Sequence, residues 1–425
     1  MIKILKYGQV KKEEIFERAV SKADVSSTVA EIIENVKKNG DKALLYYNEK
    51  FDKAHIDTLA VSPDEIENAL KTVDSDFLRI LNSAADNIRA FHEKQKREGF
   101  KIEKNGTVIG QKVIPVDVAG LYVPGGTAAY PSTVLMDTIP AKIAGCKQVM
   151  IVTPPDSEGK INPAILAAAH VAGVDKIFKV GGAQAIAALA YGTESIPKAD
   201  KIVGPGNAFV AEAKKQVFGQ VSIDMIAGPS EIMIVSDNKS DPDVLAADML
   251  SQAEHDKLAT AVLITDSEEL AKAVSVSIEK QLCTLSREEI ARAAIDGNSK
   301  IIITENLREA VELANEIAPE HLELCVDDPW EYFDDVHHAG SVFLGRFCPE
   351  ALGDYMAGPN HTLPTSGTAK FSSPLSVDDF VKKTQFTYYT KEALNGIAYD
   401  IAKFAETEGL TAHAKSAIIR TEKEK

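Results

Sequence analysis

The stretch DKIFKVGGAQAIAALAYG, residues 175–192, passes from a short apolar run through two glycines into an alanine-rich run. The first run has the length of a buried strand, and the second has the length and composition of a helix. The glycine pair supplies the turn between them. A strand that leads directly into a helix is half of a βαβ unit, so this stretch predicts an α/β fold.

The same alternation extends in both directions from this stretch. One series of strands is predicted at QVMIVTPP (148–155), DKIFKVGG (175–182), DKIVGPG (200–206) and VSIDMIAG (221–228). A second series is predicted at EIMIVSD (231–237), TAVLITD (260–266), SKIIITE (299–305) and GSVFLG (340–345). Strands that alternate with helices favour right-handed crossovers. The sequence therefore predicts two Rossmann-like α/β domains with mostly parallel sheets.

The two ends of the chain show a different pattern. Residues 11–50 and 62–98 are rich in Ala, Glu, Lys and Leu at helical spacing, and residues 371–425 also favour helices. Between these segments, residues 101–123 form β-like runs in which Asn105 and Gly106 have the composition of a hairpin turn. We expect helical N-terminal and C-terminal segments around the α/β core.

Composition narrows the class of partner. The chain has 425 residues and a net charge of −16, which opposes attraction to nucleic-acid phosphates or to an anionic membrane surface. No apolar run is long enough to span a bilayer. The four cysteines are scattered without metal-binding or disulfide spacing, which fits a reducing, cytoplasmic compartment. We therefore expect a small-molecule partner.

Three glycine turns follow apolar strands, in VPGGTAAYPS, VGGAQA and VGPGNAF. Such turns lie at the carboxyl ends of parallel strands, where helix N-termini offer free N–H groups to anions. None of them matches GxGxxG; in GPGNAF, Phe209 occupies the third glycine position. Tyr122, Gln184 and Asn207 flank these turns. They either hold a base or ribose, or serve as turn packing and helix caps.

Polar residues suited to a metal site occur in three later segments. Gln252 and His255 in DMLSQAEHDK are three residues apart, so they share one face of a helix. Asp354 and His361 lie in ALGDYMAGPNHTLPTSG, and His413 follows Glu408 in ETEGLTAHAKS. Imidazoles, a carboxylate and an amide oxygen suit Zn²⁺, although a histidine at a helix end also commonly caps or packs.

A carboxylate and an imidazole are adjacent in APEHLEL, residues 318–324. Glu320 and His321 are either acid–base machinery or polar residues that close a helix. Neighbours on a helix point in different directions, but Pro319 favours an irregular turn that can aim both at one substrate.

Taken together and in order, these motifs resemble the histidinol dehydrogenase family. The resemblance rests on GLYVPGGTAAYPSTVLM, VGGAQAIAALAYGTESIPKADKIVGPGNAFV, DMIAGPSEIMIV, DMLSQAEHD, APEHLEL, GDYMAGPNHTLPTSGTA and EGLTAHAKSA. It implies an NAD-dependent, zinc-containing enzyme that oxidises L-histidinol to L-histidine through bound L-histidinal, the last step of histidine biosynthesis.

The resemblance also implies a role for each candidate residue. Glu320 and His321 are the expected catalytic pair, and the expected NAD contacts are Tyr122, Gln184 and Asn207. The expected zinc ligands are Gln252, His255, Asp354 and His413. The expected substrate contacts are Ser230, Gln252, His255, His321, Asp354, His361, Glu408 and His413.

The family implies a cytoplasmic homodimer with shared sites. We expect an arm at 1–22, a catalytic α/β domain at 23–115 and 230–370, an NAD-binding α/β domain at 116–229, and a segment at 371–425 that completes the partner's site. Three other functions can be tested against this one. They are a zinc hydrolase with Glu320 as base, an aldehyde dehydrogenase that uses a cysteine, and a binding protein without activity.

Overall fold

The computed structural model describes residues 1–18, 24–125 and 129–421. The boundary predicted between residues 22 and 23, and residues 126–128 of the first glycine turn, lie outside the described residues. The strands are β1 (Lys3–Lys6), β2 (Phe100–Lys104), β3 (Thr107–Pro115), β4 (Val118–Tyr122), β5 (Gln148–Thr153), β6 (Lys176–Lys179), β7 (Lys201–Val203), β8 (Ser222–Ile223), β9 (Glu231–Ser236), β10 (Thr260–Thr265), β11 (Lys300–Ile303), β12 (His321–Cys325), β13 (Ser341–Leu344) and β14 (Val381–Tyr389).

The α-helices connect these strands. They are α1 (Lys12–Phe16), α2 (Ser26–Asn39), α3 (Asp41–Tyr47), α4 (Pro63–Thr72), α5 (Ser75–His92), α6 (Pro131–Ala144), α7 (Pro163–Ala172), α8 (Gly182–Tyr191), α9 (Ala208–Val217), α10 (Pro242–Ala253), α11 (Glu268–Leu282), α12 (Glu288–Gly297), α13 (Leu307–Ile317), α14 (Trp330–Phe333), α15 (Glu350–Tyr355), α16 (Lys391–Asn395), α17 (Ala398–Thr407) and α18 (Thr411–Ile418). Among the described helices, none is long and apolar enough to cross a membrane.

The four strands of the first predicted series, together with β4 from the segment 101–123, form a five-stranded parallel sheet. Its order is β6-β5-β4-β7-β8, so the chain builds outward from β4 on both sides. Strand β5 is buried at every position after Gln148. This continuous apolar run is what a parallel strand covered by helices on both faces requires. The predicted α/β architecture is confirmed here, although only Ser222 and Ile223 of the VSIDMIAG segment are a strand.

The four strands of the second series, joined by β1 and β12, form a six-stranded parallel sheet in the order β1-β11-β10-β9-β12-β13. Successive side chains of β9 enter opposite cores. Ile232 and Ile234 pack with α10 and α11, whereas Met233 and Val235 pack with α13. Since a strand alternates its side chains between faces, an all-apolar strand must be covered on both.

Both parallel sheets belong to one compact unit, residues 1–95 and 116–380, and a second unit comprises residues 96–115 and 381–425. The second unit contains an antiparallel sheet of order β14-β3-β2. Asn105 and Gly106 connect β2 to β3 with φ of 48° and 76°, which confirms the predicted hairpin turn.

The two ends of the chain are less helical than the sequence suggested. Lys3–Lys6 form β1, which pairs with β11 at the sheet edge, and Val381–Tyr389 form β14 within the C-terminal segment expected to be helical. Tertiary pairing decides both cases. Strand β1, for example, finds its partner far along the chain, where Lys3 pairs with Lys300. The remaining C-terminal helices, α16 to α18, agree with the prediction.

Candidate active site

The segment that carries Glu320 and His321 is not helical. Helix α13 ends at Ile317, and Ala318 has the left-handed conformation with φ of 54°. Pro319 follows, and strand β12 begins at His321. A non-glycine residue in this conformation is held there by its surroundings, and Ala318 is fully buried. The helix therefore ends before the pair, which stands at the amino end of a central strand.

One residue of the neighbouring strand holds both side chains through its main chain. The Glu231 N–H donates to Glu320 Oε2 at 2.8 Å, and the Glu231 carbonyl oxygen lies 3.0 Å from His321 Nδ1. His321 Nδ1 is 3.6 Å from Glu320 Oε2. Strand pairing between β9 and β12 thus brings both groups to a single anchoring residue.

Burial shifts both groups towards their neutral forms. Desolvation raises the pKa of Glu320 well above its ordinary value, and the nearby Glu231 carboxylate adds to this effect. Desolvation lowers the pKa of His321 to about 4. A shifted pair in a buried site is typical of acid–base machinery.

Asp354 lies where three imidazoles converge. Its Oδ1 is 3.3 Å from His361 Nδ1. Burial alone would raise the pKa of Asp354, but the hydrogen bond and charge of His361, together with His321 and His255, lower it to about 2. Single ligand atoms of His321, Glu350 and Asp354 lie within 4.8 Å of one another. The cluster can present oxygen and nitrogen donors to one cation.

Gln252 and His255 come from the end of helix α10. Gln252 is 1 % exposed, and its Oε1 has no hydrogen-bond partner among the described residues. A buried carbonyl oxygen without a partner is costly unless a ligand satisfies it. His255 is close enough to lower the pKa of Asp354. Gln252, His255 and Asp354 therefore fit a borderline divalent cation such as Zn²⁺.

The loop that carries His361 is held by helix α6 of the other sheet. Thr133 Oγ1 is 3.3 Å from His361 Nε2. Asn360 Nδ2 donates to the Met136 carbonyl at 2.6 Å, and the Thr362 hydroxyl donates to Asp137 Oδ1 at 2.9 Å. Ser230, which directly precedes β9, is half-buried. The elements of both sheets thus converge on this region.

The predicted cofactor residues occupy the carboxyl edge of the five-stranded sheet. Tyr122 ends β4, and its hydroxyl accepts the Gly182 N–H at 3.1 Å. Gln184 is buried in the first turn of α8, beside Gly182. Asn207 is the N-cap of α9, with its Oδ1 accepting from Phe209 and Val210. Helix capping is therefore what the Asn207 side chain does in this structure.

Comparison with known proteins decides the family. The histidinol dehydrogenase family model matches residues 16–421. A histidinol dehydrogenase of Clostridium acetobutylicum is 52 % identical over 99 % of both chains, and one of Bacillus cereus is 56 % identical over 94 % of both. The crystal structure of histidinol dehydrogenase from Elizabethkingia anophelis superimposes with a TM-score of 0.94 at 41 % identity, covering 100 % of this chain and 99 % of that one.

The chain belongs to the histidinol dehydrogenase family. The identity extends over nearly the whole length, so the activity is that of this family of oxidoreductases, on a small-molecule substrate. The family resemblance read from the sequence motifs is confirmed, as is the α/β fold.

Two residues of this candidate site were not predicted from the sequence. Glu231 is a carboxylate directly before four apolar residues of a buried strand, a signal that is visible in EIMIVS. Glu350 precedes Asp354 by one helical turn, so both face one way. Glu350 Oε1 lies 3.6 Å from His321 Nε2, and burial beside Asp354 raises the pKa of Glu350 to about 8.

The last two predicted residues belong to the second unit. Glu408 ends helix α17, and His413 lies in α18 after the turn at Gly409, whose φ is 77°. Both side chains are exposed. Gly409 separates the two helices.

Proposed function

We propose that the chain catalyses the four-electron oxidation of L-histidinol to L-histidine through bound L-histidinal, with NAD and zinc as cofactors. The proposal is supported by the family relationship together with the arrangement of Glu320 and His321 on Glu231. When bound, NAD would supply the hydride acceptor for each of the two oxidations, so the protein's own residues must bind and orient the substrate and move protons.

His321 is the proposed base for the substrate hydroxyl. Its Nδ1 faces a carbonyl oxygen, which can only accept a hydrogen bond, so Nδ1 carries the proton. Nε2 is left with a free lone pair, and the lowered pKa keeps the ring neutral at neutral pH. The contact between His321 Nδ1 and the Glu231 carbonyl carries the proposal. It indicates which ring nitrogen holds the proton and which one can act as the base.

Glu320 is the proposed base for water in the second oxidation. Its Oε2 is anchored by the Glu231 N–H, while burial raises its pKa and so increases its affinity for a proton. In its ionised form, a carboxylate with a raised pKa is a stronger base, and it can take a proton from water as the water adds to the aldehyde. The two groups then serve successive steps.

Gln252, His255 and Asp354 would hold zinc, with His413 from a second copy of the chain as the fourth ligand. The unpartnered Gln252 Oε1 and the low pKa of Asp354 support this set. When bound, zinc would coordinate nitrogen atoms of the substrate and so orient the substrate. Ser230, His361 and Glu408 are the proposed further contacts to histidinol.

The carboxyl edge of the five-stranded sheet is the proposed NAD site. Helices α6 and α8 begin there without a side-chain cap. Pro131 has no N–H, and the Gly182 N–H is taken by the Tyr122 hydroxyl, so the later N–H groups of each first turn are the ones that would meet phosphate oxygens. Tyr122 and Gln184 line the same edge, and Asn207 holds the start of α9 in place.

A homodimer is proposed from the second unit. Its paired helices α17 and α18 share a small core of three buried alanines, Ala402, Ala405 and Ala414, with the partly buried Ile418 packed against them. Tyr399 is 73 % and Phe404 is 70 % exposed. Helices with so small a core need further apolar contact. A second copy would cover this face and receive Glu408 and His413.

The test is oxidation of histidinol and of supplied histidinal, followed as NADH. We expect the Glu320→Gln variant to lose oxidation of histidinal by about 10²-fold or more, because the amide cannot accept the proton of water. Glu312→Gln, an exposed carboxylate on α13, is the matched control and should behave as wild type. Full histidinal oxidation by Glu320→Gln would refute the assigned role, and a wild-type protein that forms no NADH would favour a hydrolase or a binding protein.

A further inference from the structure

Glu231 has a second set of contacts, on its side-chain end. Its main chain holds the side chains of Glu320 and His321, while its carboxylate makes separate contacts and is 8 % exposed. The main-chain N–H groups of Ser366 and Glu320 also hydrogen-bond to this carboxylate. The position of Glu231 therefore depends on the groups that bind its buried carboxylate. The position of the Glu320–His321 pair depends on them as well.

Arg18 is the cation that holds it. Its Nε lies 2.8 Å from Glu231 Oε1, and its Nη2 lies 3.3 Å from Glu231 Oε2. The same Nη2 donates to the Ile317 carbonyl at 2.7 Å. A planar guanidinium can make this two-point contact and reach a third acceptor, which an ammonium cannot do in the same way. Arg18 thus connects the end of α13 to the start of β9, the two sides of the Glu320–His321 segment.

The N-terminal segment is anchored so that it delivers Arg18 to this position. Strand β1 pairs with β11, and Ile15 packs in the core that contains Met233 and Leu322. Lys300 Nζ, buried under the segment, donates to the carbonyls of Glu14, Ile15 and Glu17 at 3.1 to 3.2 Å. These carbonyls close the end of α1, directly before Arg18. The segment is therefore built into the sheet immediately behind the candidate site.

We propose that Arg18 is a positioning residue for the Glu320–His321 pair, acting through the Glu231 carboxylate. It touches neither member's side chain. Without it, Glu231 would be a buried carboxylate without its cation, and it would shift towards solvent or take up a proton. Either change alters the main-chain anchor that aims Glu320 and His321. This inference rests on the catalytic roles proposed for that pair.

The test compares Arg18→Ala, Arg18→Lys, Glu231→Gln and the double variant Arg18→Ala/Glu231→Gln. For Arg18→Ala we expect kcat to fall by about tenfold to a hundredfold, because small displacements of catalytic groups have effects of this size. KM for histidinol and zinc content should stay at wild-type values. Arg18→Lys should recover part of kcat. The double variant should be more active than Arg18→Ala, since the neutral amide needs no cation.

Arg292→Ala is the control, because Arg292 on α12 forms ion pairs with three carboxylates, and none of these contacts involves Glu231, Glu320 or His321. Hydrogen exchange of the segments around Glu231 and His321 gives a readout independent of turnover, and Arg18→Ala should exchange faster there. The inference would be overturned by wild-type kcat in Arg18→Ala. It would also be overturned if the loss of kcat in the double variant equalled the product of the losses in Arg18→Ala and Glu231→Gln. Those outcomes leave the proposed function intact, whereas absence of NADH formation by the wild type would strike the proposed function itself. If Arg18→Ala does not fold, the test uses Arg18→Lys and Glu231→Gln instead. Wild-type kcat in both of these variants would then overturn the inference.

Discussion

The two parallel sheets offer opposite edges to the chemistry. In the five-stranded sheet, Tyr122 and Gln184 lie at the carboxyl ends of the strands, where α/β proteins usually bind ligands. In the six-stranded sheet, Glu320 and His321 lie at the amino end of β12, beside the start of β9. Sheets of similar architecture thus present candidate sites at different ends.

In each sheet, the edge opposite the candidate site has its polar groups paired with one another. At the carboxyl edge of the six-stranded sheet, Arg346 pairs with both oxygens of Asp237 at 2.7 and 2.8 Å and donates to the Cys325 carbonyl at 2.8 Å. At the amino edge of the five-stranded sheet, Asp200 accepts the N–H groups of Asp117 and Val118. An edge whose polar groups are satisfied internally has little left to offer a ligand.

Metal removal should produce the largest difference between the edges. We expect chelation to lower turnover by at least about a hundredfold, since the substrate loses its orienting ion. Binding of NAD, measured by fluorescence, should persist because it uses the other sheet. Zinc add-back should restore turnover. Gln252→Ala should lose zinc in elemental analysis, while Gln385→Ala, an exposed glutamine of the second unit, should keep it. Turnover that survives complete metal removal would contradict the site.

A glycine substitution should affect only the carboxyl edge of the five-stranded sheet. Gly182 has φ of 66°, and an added Cβ would lie 2.8 Å from Gln184 Oε1. We expect Gly182→Ala to weaken NAD binding by about tenfold, the equivalent of one displaced contact. Zinc content should be unchanged.

Gly173→Ala is the matched control for that variant. Gly173 has φ of 80°, but open space surrounds its Cβ position. It should lose about 1 kcal/mol of unfolding free energy from backbone strain and keep its affinity for NAD. Equal loss of NAD affinity in both variants would show that strain alone, rather than a site at this edge, is responsible.

A buried thiol provides the smallest predicted effect. Cys325 ends β12 at the carboxyl edge, opposite His321, and burial followed by the charge of Glu323 raises its pKa, so the thiol stays protonated. We expect Cys325→Ala to leave kcat within about twofold and to cost about 1 kcal/mol in urea unfolding. Exposed Cys283→Ala should change neither quantity. Loss of turnover in Cys325→Ala alone would revive a cysteine-dependent mechanism.

Much of the fold was accessible from sequence because parallel strands in this chain are continuous apolar runs bounded by glycine turns. Strands β5, β9 and β10 were predicted within two residues of their bounds. Strands β1 and β14 were missed, since each depends on a partner remote in sequence. Likewise, Glu231 and Arg18 carry no motif, and only strand pairing and an ion pair bring them to the site.

The sequence by itself determined the family, the α/β class and the residue types available for acid–base and metal chemistry, because these depend on local pattern and on ordered motifs. Tertiary structure alone decided that APEHLEL enters a strand and not a helix, that His321 Nδ1 meets a carbonyl and leaves Nε2 free, and that Asp354 has three imidazoles near it. Those properties arise from groups far apart in the chain, and their pKa values follow from burial that exists only once the sheets are assembled.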